Sequence, residues 1–427
     1  MGRDIVTDGV RFGQVGVEHE ERKMSDLVQL DGQQPHSEPT GQHVEQAVRE
    51  RYSAASRERE ASLCCPVQYD GRYLAILPDE LIERDYGCGD PSRYVREGDR
   101  VLDLGSGGGK ICYIASQIVG SSGCVIGVDM NDDMLALARR HRQTIAERIG
   151  WDNVAFHKGR IQDLALDLER FEDWLAEHPI RDANGWLLAQ QQADLMRRQT
   201  PMIADGSVDV VLSNCVLNLV SPGDRQMLFE ELFRTLAPGG RAVISDIVCD
   251  EVVPQRLRDD PELWSGCISG AFVEEEFLNA FLVAGFEGIE IVSRQAEPWA
   301  TIEGIEFRSM TVRAWKPVED EPLDLNQAVV YRGPWAAVVD EEGNLIPRGE
   351  RTAVSSVDAR RFAREPYAEQ LVLIEPHTPV DPATAEPFRG EHQGTRSLAE
   401  IKGQDFRLTS LPGDSCCGGS ADGSSCC

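Results

Sequence analysis

The stretch VLDLGSGGGK, residues 101–110, decides the fold. An apolar run carrying one acid enters a cluster of glycines, and a helix-forming segment, KICYIASQIV (110–119), follows at once. Glycines let the backbone turn sharply and approach a ligand closely. The helix start behind them aims free N–H groups and a positive dipole at the same place. The spacing differs from the GxGxxG fingerprint of dinucleotide-binding sheets.

The surroundings sharpen the reading. About twenty residues on, CVIGVDM (124–130) ends a strand on Asp129, whose carboxylate can accept hydrogen bonds from two ribose hydroxyls. GRIQDL (159–164) then places Ile161 and Gln162 at the tip of a further strand, suited to an adenine edge. VDVVLSNCVLNLV (208–220), RQMLFEELFRTL (225–236) and RAVISDIV (241–248) continue the alternation of short apolar runs and helices. Such alternation predicts an α/β fold with a doubly wound, mainly parallel sheet and helices on both faces. The ordered set of Gly-rich loop, acidic strand end and adenine-edge residues resembles class I methyltransferases. The competing reading is a nicotinamide enzyme on a similar sheet.

Outward from this core the chain divides further. Residues 1–42 are polar and acidic without apolar periodicity and read as a disordered lead-in. Residues 43–98 hold a short helix, with Val44, Ala47, Val48, Arg51 and Tyr52 at helical spacing, and a connector containing SLCCPV and DYGCG. The methyltransferase-like domain spans 99–316, with a helical insertion at about 166–200. Strand-like alternation with DEEGN and PRGE turns makes 320–380 a small C-terminal α+β domain. The Pro-, Gly- and Ser-rich remainder, 381–427, ends in SCCGGSADGSSCC and reads as an unstructured Cys-rich tail.

With 72 acidic and 43 basic residues the net charge is −29, a field that repels nucleic acid. No run of apolar residues is long enough to span a membrane, and the N-terminus lacks a signal-peptide core. A cytoplasmic location follows as the expectation. There the 12 cysteines are thiols by default, and clustered thiols point to metal or redox chemistry.

Cys215 ends the strand VDVVLSN, where an open α/β sheet has its ligand crevice, while Cys88 and Cys267 lie in loops with small neighbours. Convergence of these thiols would select a soft ligand. Trivalent arsenic takes three sulfurs in a pyramid and keeps a lone pair that can attack an electrophilic methyl group without a general base. The plain alternative for any one cysteine is a small buried hydrophobe, which suits Cys112 and Cys124 best. No CxxC pair supports a zinc site.

With DYGCG, VLDLGSGGGK, GVDM, SNCVLNLV, PGGRAVISDIV and WSGCISGAF on the page, the chain resembles the arsenite methyltransferases over 44–316 and faintly over 326–375. The resemblance implies S-adenosyl-L-methionine as cofactor, held by Asp103, Gly105, Gly107, Gly109, Asp129, Met130, Ile161, Gln162 and Asn214. It implies Cys88, Cys215 and Cys267 as arsenic ligands. Cys64 or Cys65 would be an upstream redox partner, reset by thioredoxin or glutathione. The substrate would be arsenite or its thiol conjugates. Two features depart from the family pattern, the Cys64–Cys65 doublet and the long insertion. Two other functions remain open at this level: methylation of another small molecule, and a metalloid-sequestering protein led by the tail.

Overall fold

The computed structural model describes residues 41–58, 60, 67–84, 86–390 and 394–403. Its main sheet is built from β1 (Arg100–Leu104), β2 (Cys124–Asp129), β3 (Val154–Lys158), β4 (Val208–Asn214), β5 (Leu236–Cys249), β6 (Phe272–Val273), β7 (Glu287–Arg294), β8 (Ala300–Ile302) and β9 (Ile305–Trp315). The lateral order is β3-β2-β1-β4-β5-β9-β7, with β6 on β5 and β8 on β9. Strands β1 to β5 pair in parallel, and β9 returns antiparallel between β5 and β7. The order reverses between β1 and β4, so the C-terminal ends of these strands open a crevice.

Both faces of the sheet are covered, which is why its strands read as nearly continuous apolar runs. Leu102 and Leu104 pack on one face with Leu228 and Leu232 of helix Arg225–Thr235 and Phe277 and Phe281 of helix Glu274–Val283. Val101, one residue before Leu102, packs on the other face with Ile111 and Ile114 of helix Lys110–Val119 and Leu135 of helix Asp132–Ile149. Each such fully buried side chain contributes about 1.5–3 kcal/mol.

The insertion forms two helices, Leu168–Glu177 and Ala183–Gln199, each capped by an aspartate: Asp167 accepts from Arg170 N, and Asp182 from Gly185 N. Ion pairs tie it to the β3 edge of the sheet, with Lys158 Nζ 2.7 Å from Glu172 and Arg139 Nη1 2.7 Å from Glu169.

The C-terminal region has its own small sheet, with β10 (Ala328–Tyr331) between β13 (Thr352–Ala353) and β14 (Leu371–Ile374). Beside it lies the hairpin β11 (Ala337–Val339) and β12 (Leu345–Pro347), closed by the DEEGN turn, where Asp340 Oδ1 accepts from Asn344 N. One expectation is corrected here: the segment after 380 does not begin as a free tail. Arg396 is buried against Asp324 at 2.7 Å, Thr395 bridges to Thr352, and a helix with a Ser397 capping box runs over Leu398–Lys402. Composition missed this because single buried anchors, not periodicity, order the segment. Residues 404–427, with the terminal cysteine doublets, lie outside the described residues, as do 1–40.

Buried charges fasten this region to the main sheet. Arg361 lies 2.9 Å from Asp358, 3.2 Å from Glu342 and 3.5 Å from Glu287 of β7, while Arg364 meets Glu287 at 2.6 Å. Removing one partner of such a set leaves an uncompensated buried charge. Arg361→Met is therefore expected to lower stability by roughly 3 kcal/mol, read as a fall in the urea midpoint. An unchanged midpoint would show that the network does not hold the two parts together.

Candidate active site

A cavity with about 730 Å³ of empty space, partly open to solvent, lies over the tips of β1, β2 and β3. Gly105, Gly107, Asp129, Met130, Ile161 and Gln162 all line it. Gly105 has φ 65°, and a Cβ there would come within 2.5 Å of Val216, so only glycine brings the loop this close. A Cβ on Gly107 would meet nothing, so that position faces open space. Asp129 Oδ2 accepts from Gly107 N at 2.8 Å and Oδ1 from Asn131 N at 2.8 Å, which fixes its carboxylate at the mouth of the glycine loop. The buried Ser106 Oγ has no hydrogen-bond partner. An open glycine cradle and a fixed carboxylate fit an adenosine-bearing cofactor.

The thiols converge next to this cavity. Cys88, Cys215 and Cys267 are all free and buried, and they share one cluster with Ile247, Val253, Ile268 and Phe307. The sulfurs of Cys88 and Cys215 and a carboxylate oxygen of Asp246 lie within 4.8 Å of one another. Cys267 Sγ donates to the Cys215 carbonyl at 3.1 Å. Cys215 is hydrogen-bonded to the Cys267 and Cys88 side chains, and these contacts hold its pKa well above that of an ordinary thiol. Burial likewise raises Cys88. In this state Cys88 and Cys215 keep their protons at neutral pH.

Close backbone packing places each sulfur. In the Cys88 loop, a Cβ on Gly87 would sit 2.1 Å from Asn214 Nδ2, and one on Gly89 would sit 2.4 Å from Ser245 Oγ. Asn214 Oδ1 accepts from Cys88 N at 2.9 Å and Gly89 N at 3.1 Å, and its amide donates to Gly89 O at 2.7 Å. Ser309 Oγ donates to Cys88 O at 2.6 Å. Cys215 and Cys267 both adopt the left-handed conformation, with φ 65° and 63°. For a side chain with a Cβ this costs on the order of 1 kcal/mol or more and is typical of functional sites. Asn218 Nδ2 donates to Asp246 Oδ1 at 2.8 Å, Ile247 O at 2.6 Å and Cys267 O at 3.2 Å, which draws the Cys267 loop onto β5.

Helix Gly41–Ala55 straps the two half-sites together. Its Val48, Arg49 and Tyr52 line the cofactor cavity. Its Arg51 Nη1 donates to Glu262 O at 2.8 Å and Ser265 Oγ at 2.7 Å, just before Cys267, while Asn131 Nδ2 donates to Arg49 O at 3.0 Å. Val48 packs on Trp264. Tyr52 is half-buried near Cys267 and Cys215, and loss of solvent around it first, then these thiols, push its hydroxyl pKa up.

Three expected cofactor residues stand elsewhere. Asn214 is not on the cavity wall, because its amide is spent on the Cys88 loop. Asp103 is buried in β1, accepting from Cys112 Sγ at 3.1 Å, and so supports the loop from below. Gly109 caps helix Lys110–Val119 in the left-handed conformation and packs against Phe156 and Ala138. Cys112 is wholly buried. Cys64 and Cys65 lie outside the described residues. Sequence reading missed Asp246, Asn218 and Tyr52. The first two stood inside the quoted motifs SDIV and SNCVLNLV, but nothing in their spacing shows that they meet. Among the described residues, no helix is long and apolar enough to cross a membrane.

A glycine loop, an acidic β2 end and an adenine-side wall on a sheet of this order define an S-adenosyl-L-methionine-dependent methyltransferase. Comparison agrees: a family model described as a methyltransferase domain matches residues 96–193 and 188–299. Residues 318–406 match a domain of unknown function, DUF8838. The arsenite methyltransferase of Aquipseudomonas alcaligenes is 36% identical over 68% of this chain and 80% of its own length. That of Mus musculus is 28% identical over 74% of this chain and 76% of its own. The crystal structure of an arsenic(III) S-adenosylmethionine methyltransferase from Chlamydomonas reinhardtii superimposes with a TM-score of 0.50 at 28% identity, covering 76% of this chain and 99% of the other. The chain belongs to the arsenite methyltransferase family.

Two outcomes follow from this geometry. Asn214→Ala should weaken arsenic(III) binding about tenfold, since it frees the Cys88 loop, while calorimetry finds S-adenosylmethionine affinity unchanged; the converse result would return Asn214 to the cofactor site. The second concerns Asp246, which burial pushes up to about 7 although it accepts from the backbone of Leu217, Asn218 and Ile247. Its pKa is raised on folding from an ordinary value of about 3.9, so the folded state binds the extra proton and gains stability at acid pH. That contribution is lost as pH climbs from about 4 to about 7. Asp246→Asn should therefore flatten the fall in urea midpoint across this window, and an unaltered slope would assign it to other groups.

Proposed function

We propose that this enzyme methylates trivalent arsenic held by Cys88, Cys215 and Cys267. The observation that carries the reading is the meeting of three thiols from distant segments in one buried cluster beside the cofactor cavity. A general base is not required at the acceptor. Each arsenite hydroxyl leaves as water with the proton of one thiol, so the raised pKa values of Cys88 and Cys215 do not oppose loading: three S–H and three As–OH bonds become three As–S bonds and three waters. The cofactor supplies an electrophilic methyl group on a sulfonium centre. The protein's own contribution is position, which for a well-aligned pair is worth roughly 7–11 kcal/mol. The apolar cluster around the sulfurs also excludes water from the arsenic lone pair.

Methylation at the lone pair oxidises arsenic to the pentavalent state, and two thiols return it to the trivalent state by forming one disulfide. We assign Cys88 and one of Cys64 and Cys65 to that step. Val67, two residues beyond Cys65, lines the same cavity as Cys88, which supports the pairing. Thioredoxin or glutathione then resets the disulfide by exchange. A reducing cytoplasm suits free thiols, and arsenic detoxification is the role this chemistry serves.

The reading that this is a general small-molecule methyltransferase calls for a base such as His or Asp over the crevice; the aspartate there, Asp246, is engaged by hydrogen bonds from Leu217, Asn218 and Ile247, and the thiols surround it. Purified protein given labelled S-adenosylmethionine, arsenite and a thiol reductant is expected to form labelled methylarsenicals. Cys88→Ser, Cys215→Ser and Cys267→Ser should each cut the yield at least about tenfold without loss of cofactor binding. Wild-type yield from all three variants would move the acceptor away from these sulfurs.

A further inference from the structure

The cofactor cavity has two unlike ends. Asp129, Asn131 and Gln162 gather beyond the tips of β2 and β3. Arg49 belongs to the same end: its carbonyl accepts from Asn131, and with Met130 it also borders a separate surface cavity. Beside β4 the wall is made of Val48, Val216, Leu219, Val220 and Tyr52. Val216 is the residue next to Cys215, so this is the end that faces the thiols. Of these five wall residues, Tyr52 is the one whose side chain can form a hydrogen bond.

Tyr52 is also where the three thiol loops come together. Its ring stands edge-on to that of Tyr86, just before Gly87 and Cys88, with centroids 6.2 Å apart. It packs on the Val48–Trp264 pair, and Leu219 packs on the same pair. Trp264 begins the WSGC segment that ends on Cys267, and Leu219 ends the CVLNL segment that starts at Cys215. The ring is thereby set by packing from the Cys88, Cys215 and Cys267 loops at once. The raised pKa of its hydroxyl keeps the phenol neutral. A phenolate there would compete with the acceptor for a methyl group, whereas a neutral phenol oxygen is a poor nucleophile that still offers lone pairs.

A sulfonium facing valine and leucine side chains alone would be a poorly compensated charge. Much of that charge lies on the attached C–H groups, which makes them donors to an oxygen. Resting on the methyl-transfer reading above, we infer that Tyr52 is a further catalytic residue: its hydroxyl oxygen accepts from the C–H groups of the cofactor's methyl and holds that methyl towards the thiol cluster. Tyr52 neither gains nor loses a proton in this role. Because one ring carries the oxygen and touches the packing of all three loops, the direction of the methyl group and the position of the sulfurs are set together.

Tyr52→Phe removes the oxygen and keeps the ring against Tyr86. The direct readout is discrimination between S-adenosylmethionine and S-adenosylhomocysteine, which differ by the methyl group and its charge. Calorimetry on the full-length protein is expected to show S-adenosylmethionine weakened about three- to fivefold in the variant, with S-adenosylhomocysteine affinity changed less than about twofold. Retained binding of the latter also shows that the variant is folded. With S-adenosylmethionine isotope-labelled in its methyl group, the bound methyl proton resonance should move upfield in the variant, since a C–H···O contact deshields it. Single-turnover methyl transfer should slow about threefold or more with arsenic(III) affinity unchanged. Equal weakening of both ligands, or a bound methyl resonance at the same place in both proteins, overturns the assignment. If wild type shows the discrimination and the variant loses it, yet wild type forms no methylarsenical, arsenic is refuted as the acceptor and the Tyr52 contact stands.

Discussion

One buried polar node organises the thiol site. Asp246 accepts from the backbone of Leu217, Asn218 and Ile247 and from the Asn218 amide, and that amide reaches on to Cys267 O. A buried carboxylate is tolerable only when its lone pairs are occupied, so the turn after β4 and the loop carrying Cys267 are drawn to one point on β5. Gly270 permits the final approach, since a Cβ there would lie 2.0 Å from Asn218 O. The left-handed conformations of Cys215 and Cys267 are the local strain that this network maintains.

Around the node, the fold divides the labour by strand order. The parallel strands β1 to β3 present a glycine loop and a fixed carboxylate, while β4 and β5 present the sulfurs. The antiparallel β9 carries Ser309 and Thr311; the first binds Cys88 O and the second pairs with Ser245 at 2.8 Å. Helix Gly41–Ala55 crosses from the Asn131 side to the Cys267 side, so cofactor contacts and thiol placement share one element. The C-terminal region is bolted to the far edge of the same sheet by Glu287, Arg361 and Arg364.

Alternating apolar runs, a Gly-rich turn and Asp129 at a strand end made the methyltransferase sheet legible in the sequence, because strand tips and turns are local features. Residue type alone marked Cys88, Cys215 and Cys267 as soft ligands, and the resemblance joined them. Partners across long separations were not legible. Asn214 sat next to Cys215 and was read with the cofactor, yet its amide binds a loop 126 residues away. The order in 381–403 was likewise hidden, because Arg396 finds Asp324 across 72 residues.

What the sequence determined by itself was therefore the class of scaffold and the chemical kind of ligand, since periodicity, turn chemistry and sulfur are properties of neighbouring residues. Tertiary structure decided which sulfurs meet, that Asp246, Asn218 and Tyr52 surround them, and that Cys88 alone of the three also lines a second cavity. These depend on backbones packed close enough that glycine is needed at 87, 89 and 270, and on buried hydrogen bonds closed over distances that no local pattern encodes.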